Sequence, residues 1–216
     1  MTGSPNVVLE RDGTIQIIRL ARPEKKNAIT AAMYGALASA IAATNHDPAV
    51  RVVMIEGAEG VFCAGNDLDD FLRHPPAGPE SEVFRFLNAI STADKPLVAA
   101  VAGPAVGIGT TMLLHCDLVY AAENAKFAMP FVNLGICPEA ASSYLLPLVA
   151  GYQRAAELLL LGEPFGQTHG AAFALALAGL LLATWPSRAS PGGAERGSGA
   201  TAAAPPQASS PAEARP

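Results

Sequence analysis

The stretch PLVAAVAG, residues 96–103, is apolar along its whole length. Such a strand has no face to offer water, so it belongs inside a sheet covered on both sides. The segments around it can supply that cover. VVLERDGTIQIIRL (7–20) reads as a hairpin about Asp12-Gly13, a strong turn pair. ARPEKKNA follows as a polar loop, and Thr30 is the expected N-cap of a helix through AAMYGALASAIAAT that ends near Asn45 to Pro48. RVVMIEG is a strand, GVFCAGND a short strand running into a glycine turn, and DLDDFLRH a helical turn. PPAGPE breaks the chain before SEVFRFLNAIS, which has helical spacing. GIGTTMLLHC opens a helix, DLVYAA and AKFAM are short strands, and helices cover part of SSYLLPLVAG and of QRAAELLLLG. Strands therefore alternate with helices after a hairpin, which predicts an α/β domain.

Composition narrows the classes. Half of the 216 residues are apolar and 15% are charged, enough for one domain with a sizeable core. A net charge of -5 argues against a nucleic-acid surface. The opening MTGSPNVVLERDG lacks an apolar signal core, so a cytoplasmic location is expected. Cys63, Cys116 and Cys137 show no metal-ligand spacing and are expected to be reduced and mostly buried. No metal is expected. The apolar run AAFALALAGLLLATW (171–185) is shorter than the roughly 20 residues of a membrane helix, so no membrane span is expected. From Ser187 to Pro216 there is no Ile, Leu, Val, Phe, Tyr, Trp or Met, and such a segment cannot offset its ordering entropy. The expected organisation is a folded core over 1–165, an atypical apolar segment over 166–186 and a disordered Ala/Pro/Gly/Ser-rich tail over 187–216.

Two glycine-rich turns carry the chemical signal: FCAGND (62–67) and AGPAVGIGTT (102–111). Each follows an apolar strand, and the second enters a helix. Glycine lets a backbone approach a ligand closely, and a helix start exposes unpaired N–H groups. Side by side, two such turns can aim two donors at one oxygen, forming an oxyanion hole. Read alone, they are equally well tight turns packed on a sheet. The dinucleotide fingerprint, the phosphate loop, the G-x-S-x-G elbow and the H-E-x-x-H helix are absent.

In this order and separation the turns resemble the crotonase (enoyl-CoA hydratase/isomerase) superfamily. RPEKKNAIT looks like that family's early coenzyme A loop, FCAGNDL like its first oxyanion turn, and the region from AAVAGPAVGIGTT to PEAASSYLLP is similar throughout. The likeness covers roughly residues 7 to 165. It implies a spiral of ββα units, acyl-CoA thioesters as substrates, no cofactor beyond the coenzyme A of the substrate, and a homotrimer. It places the oxyanion donors on the backbone N–H groups of Asn66 and Ile108, and implies Ala64, Gly65, Asp67, Gly107, Phe131 and Tyr144 as further substrate-binding positions. Arg22, Lys25 and Lys26 fall where the family meets the phosphates of coenzyme A; without the resemblance they are a solvated charge run.

The family's hydratases use two glutamates, at the positions of Thr111 and Phe131 here, and neither is present. Glu139, in GICPEAASSY, matches the catalytic base of the enoyl-CoA isomerase branch. An apolar setting of Phe131, Leu134 and Ile136 would raise its pKa. The alternative is a surface glutamate at a helix start, favoured by the dipole. The resemblance therefore implies an isomerase moving a double bond from C3 to C2 of an acyl-CoA in fatty-acid oxidation. A hydratase or another acyl-CoA reaction on the same oxyanion hole is the alternative. Tyr144 and Ser143 either line the acyl pocket or pack the helix. Asp67, beside the first turn, and Asp117 read as caps or turn residues, His115 and Cys116 as core, Cys63 as a buried strand thiol, and Asp70 as a possible second acid.

After GEPF the pattern departs from the family, whose further helices complete the pocket. The Ala-, Gly-, Pro- and Arg-containing sequence from about Phe165 suits a changed reading frame of GC-rich DNA. That gives a reading from another class, a non-catalytic remnant whose apolar surfaces are left uncovered. Independent copies of the gene that all carry one clean frame would remove the frame-change idea.

Overall fold

The structure is a computed structural model that describes residues 4–58 and 60–161. The expected segments 166–186 and 187–216, with the apolar run 171–185, lie outside the described residues.

The hairpin forms as β1 (Val7–Asp12) and β2 (Ile15–Leu20), antiparallel, with Val7 opposite Leu20. Its loop is Gly13-Thr14, one residue later than expected, because Asp12 still pairs with Ile15 and Gly13 takes the positive φ of +57°. Helix α1 (Ala31–Asn45) starts where expected: the Thr30 side chain accepts a hydrogen bond from the Met33 N–H. Strand β3 (Val52–Gly57) follows, then α2 (Leu68–Arg73) and α3 (Glu82–Ser91). Strand β4 (Leu97–Val101) leads through β5 (Pro104–Val106) into a short α4 (Ile108–Thr111) and a 3-10 turn, Met112–His115. Strands β6 (Leu118–Ala121) and β7 (Lys126–Ala128) precede α5 (Ser142–Ala150) and α6 (Tyr152–Ala156).

Five strands form the main sheet in the order β1-β2-β3-β4-β6, parallel beyond the initial hairpin. A second, smaller layer runs beside it. There β5 pairs in parallel with β7, Cys63 bridges to Ala105, and Asn66 bridges to Ile29. The repeat is then visible: a strand of the main sheet, a short passage through the small layer, and a helix. β2, Ile29 and α1 make one turn; β3, Cys63 to Asn66 and α2 with α3 make the next; β4, β5 and α4 the third; β6, β7 and α5 the fourth. This is the expected spiral of ββα units. GVFCAGND is not a continuous strand, as expected from the sequence, but two isolated bridges. Gly65 between them has a φ of +98°, which breaks strand geometry.

The core lies between the main sheet and the paired helices α1 and α3. Tyr34 and Phe86 meet across that interface with ring centroids 5.3 Å apart, both fully buried. Burying a side chain of this size contributes on the order of 2–3 kcal/mol. In β4, Leu97, Ala99 and Val101 are buried, whereas Val98 and Ala100 are half-buried. One face of the apolar strand is fully covered and the other incompletely, less than the sequence led us to expect. The thiols also differ from expectation: Cys63 is buried, Cys116 half-buried and Cys137 exposed. Among the described residues, no helix is long and apolar enough to cross a membrane.

Candidate active site

The spiral brings the two glycine turns into adjacent repeats of the small layer. In the first, the Ala64 N–H donates to the Lys26 carbonyl (3.0 Å), the Ile29 N–H donates to the Gly65 carbonyl (2.8 Å), and the Asp67 N–H donates to the Ile29 carbonyl (2.9 Å). This clamp uses both neighbours of Asn66 and leaves the Asn66 N–H over. In the second turn, the Gly107 N–H donates to the Ala128 carbonyl (2.9 Å), and the Gly107 carbonyl accepts from Thr110 and Thr111 (both 2.9 Å). Ile108 is then the first helical residue, whose N–H has no intrahelical acceptor. Among the described residues, neither the Asn66 nor the Ile108 N–H has a hydrogen-bond partner. The turns fit closely: a Cβ on Gly65 would lie 3.1 Å from the Val106 carbonyl oxygen. Bonds from the Cys63 N–H to Pro104 (3.1 Å) and from the Val106 N–H to Cys63 (2.8 Å) hold them in register.

Both donors line one cavity of about 120 Å³. Its walls are Phe131, Leu134, Ile136, Leu68 and Pro130, and among the described residues its one ionisable lining residue is Glu139. Glu139 stands in the loop before α5 and is half-buried, so it is neither the first residue of a helix nor fully in water. Burial raises its pKa above the ordinary value of 4.5, while the Asn66 side chain pulls the other way and favours the charged form. Behind it, burial holds the Tyr34 phenol well above its usual range, with the Glu139 charge adding to the effect. The Cys63 thiol is pushed up to about 12, chiefly by burial. Tyr34 and Cys63 therefore stay protonated near neutrality, leaving Glu139 as the group there that can exchange a proton. Glu139 also borders a larger cavity of about 880 Å³, whose apolar wall includes Phe71, Val83, Phe84 and Leu87 from α2 and α3. Space for an apolar chain thus adjoins the carboxylate.

Backbone donors in two successive ββα turns, facing one carboxylate, can hold a negatively charged oxygen beside a group that exchanges a proton. The family described as Enoyl-CoA hydratase/isomerase matches residues 10–174. The chain belongs to this family. Enoyl-CoA delta isomerase 2 of Homo sapiens is 36% identical over 169 residues, which cover 75% of this chain and 43% of the relative. The 1,2-epoxyphenylacetyl-CoA isomerase of Escherichia coli (strain K12) is 38% identical over 157 residues, covering 69% of this chain and 60% of the relative. The solved structure of Pseudomonas aeruginosa OdaA is 50% identical with a TM-score of 0.73, covering 80% of this chain and 70% of that one. The chain spans less than two thirds of the length of these two curated relatives.

The remaining residues that the family resemblance singles out are distributed unevenly. Ala64, Gly65, Gly107 and Phe131 line the cavity with Asn66, Ile108 and Glu139. Tyr144 does not: it is exposed, as is Ser143, because α5 turns Ser142 and Leu146 inward, and residue 144 lies on the opposite side of the helix. The acyl-pocket reading of Tyr144 is therefore corrected. Asp67 caps α2 by accepting from the Asp70 N–H and pairs with the Arg22 guanidinium at 2.6 Å, which together hold its carboxyl below the usual range. It is a structural carboxylate outside the cavity, and it engages Arg22, which also donates to the Ala28 carbonyl. Lys25 and Lys26 are exposed on the same loop. Asp70 accepts from the Ala31 N–H and faces His74, so it does not join Glu139 as a second acid. Asp117 accepts from the Leu97 N–H, a turn role as expected. Thr111 is fully buried, and its hydroxyl has no partner among the described residues. Among the described residues, no three His, Cys, Asp or Glu side chains converge on a metal-sized site.

Two residues escaped the sequence reading, and a third stands differently from its expectation. Asn27 is buried and ties the early loop down, donating to Ala58 and Val61 and accepting from the Arg22 N–H. The Tyr34 hydroxyl donates to the Asn66 side-chain oxygen, fixing that amide behind the cavity. Its signal was available, since a tyrosine in an alanine-rich apolar helix needs a partner for its hydroxyl when buried. His115, expected in the core, is half-buried and bonds the Ala140 carbonyl at 2.9 Å.

Proposed function

We propose that the chain is an enoyl-CoA isomerase that moves a double bond from C3 to C2 of an acyl-CoA, a step of unsaturated fatty-acid oxidation. The observation that carries the reading is the cavity that holds, among the described residues, two backbone donors without partners and one carboxylate. In this mechanism the thioester oxygen accepts from the Asn66 and Ile108 N–H groups. The Glu139 carboxylate removes a proton from C2. The electron pair spreads over the dienolate, and its charge rests on the thioester oxygen. The protonated Glu139 then delivers the proton to C4, and the double bond settles between C2 and C3. No atom is gained or lost, so a single acid–base group suffices. Each oxyanion donor is worth roughly 100- to 1000-fold in rate. Hydration would need a second carboxylate to hold and activate water, and Thr111 and Phe131 occupy the positions where the family's hydratases carry theirs.

The coenzyme A moiety is the substrate's own, and the exposed Lys25 and Lys26 are the side chains available to its phosphates. Arg22 is less available because of Asp67. A homotrimer is the assembly that the family resemblance implies. Turnover of a 3-enoyl-CoA by the purified chain, beside Glu139→Ala and with 2-enoyl-CoA hydration in parallel, tests the reading. Isomerisation lost in the variant supports Glu139 as base. Hydration without isomerisation moves the chain to another branch, and no turnover from folded protein favours a non-catalytic chain.

A further inference from the structure

The loop that carries Glu139 has no glycine at its sharpest point. Ala140 and Ala141 both adopt the left-handed conformation, at φ 53° and 51°, a region that alanine enters reluctantly. Something outside the loop must select that shape. The carbonyls there divide clearly. That of Glu139 accepts from the Ser142 N–H (3.0 Å), and that of Ala141 accepts from Tyr144 (3.0 Å) and Leu145 (2.9 Å). These bonds are local and begin α5. The carbonyl between them, on Ala140, is bonded instead by His115, 25 residues earlier in the chain, at 2.9 Å. A carbonyl can only accept, so the His115 Nε2 carries the proton.

His115 closes the 3-10 turn Met112–His115, which continues directly from α4 (Ile108–Thr111). One short helical segment therefore has an oxyanion donor at its start and the anchor of the Glu139 loop at its end. We propose that His115 is a positioning residue for Glu139, its Nε2–H pinning the Ala140 carbonyl so that the base keeps its distance from the oxyanion hole. The inference rests on the reading of Glu139 as base, but the contact stands without it. His115 borders the larger cavity together with Glu139, Ala140 and Ala141, so loss of the imidazole would open the loop to that space.

The test compares His115→Leu, which removes the donor, with His115→Gln, whose amide N–H can replace it. Two readouts are taken: kcat and KM with a 3-enoyl-CoA, and the titration midpoint of the Glu139 carboxyl by ¹³C NMR. In the Leu variant, kcat is expected to fall about 10- to 100-fold with KM changed about 3-fold or less, the pattern of a misplaced group. The Glu139 midpoint should drop toward the ordinary value as water reaches the carboxyl, and the Gln variant should restore both. Tyr34 and Cys63 behind Glu139 stay protonated over this range, and Glu80 and Arg85 on the cavity wall are common to all three proteins. An unmoved midpoint and kcat in the Leu variant overturn the proposal. So does equal loss in Leu and Gln accompanied by equal loss of thermal stability, which is a packing role. A wild type that does not isomerise refutes the proposed function instead, and the midpoint still decides the role of His115.

Discussion

Glu139 destabilises the fold where it stands. Burial raises its pKa, so the folded chain binds that proton more tightly than the unfolded chain does. The sign follows: below the ordinary value of 4.5 both states are protonated and the residue costs nothing, and as pH rises through the raised folded value stability is lost. Glu139→Gln should therefore melt at a higher temperature than the wild type at neutral pH and at the same temperature below about pH 4. On the proposed mechanism, the same variant should lose turnover of a 3-enoyl-CoA by roughly 100- to 10,000-fold, since the base is gone while the donors remain. On the same mechanism, the wild-type rate should rise with pH through a midpoint above 4.5, because the carboxylate is the form that abstracts the proton. Thermal melts at the two pH values and a pH–rate profile check these together; a Gln variant that is less stable at neutral pH would contradict the burial argument.

At the scale of elements, the turn geometry governs both stability and rate. Gly107 has φ +56° and ψ -121°, a combination that L residues scarcely visit, yet a Cβ there would meet nothing nearer than the Gly65 Cα at 4.0 Å. Space is not the obstacle in Gly107→Ala; backbone strain is, at about 1–3 kcal/mol. If the peptide rotates to relieve it, the Ile108 N–H turns away, so kcat should fall more than KM rises while the melting temperature drops by a few degrees. Asp67→Ala removes the α2 cap, which alone costs about 0.5–2 kcal/mol, and the Arg22 pair with it. Its carboxyl is depressed, so its contribution is present above the usual carboxylate range and lost as pH falls through the depressed value. The difference between Asp67→Ala and wild type, measured by denaturant unfolding, should be full at pH 7 and shrink in acid. Most elements were legible in the sequence because local signals agree: Thr30 caps, glycines turn, and apolar strands alternate with helices. The small layer was legible only in part: β7 was expected as a strand, but the Cys63 and Asn66 bridges exist only through neighbours more than 30 residues away. The meeting of the two glycine turns and Glu139 on one cavity was legible through their motifs. Tyr144 misled because helix register, not proximity in sequence, decides which side chains reach the cavity.

For the whole molecule, the site is a meeting of segments far apart in the chain: Ile29 and Lys26 clamp the first turn, Ala128 the second, and His115 the Glu139 loop. A ligand that bridges the turns should therefore stabilise the described core as a unit. With a non-hydrolysable acyl-CoA thioether that keeps a carbonyl oxygen, ligand at about 100 times its Kd adds about 2.7 kcal/mol to unfolding. The local signature is more specific. In the free protein the Asn66 and Ile108 N–H groups have no partner among the described residues, whereas the flanking Asp67 and Gly107 N–H groups are already bonded. Amide exchange measured residue by residue should slow at Asn66 and Ile108 on binding, by a larger factor than at Asp67 and Gly107. Uniform slowing across all four would mean general stabilisation without an oxygen in the hole. Slowing confined to one turn would mean that the ligand's carbonyl oxygen is held by a single donor, and Gly107→Ala should then lower the rate only if that donor is the Ile108 N–H.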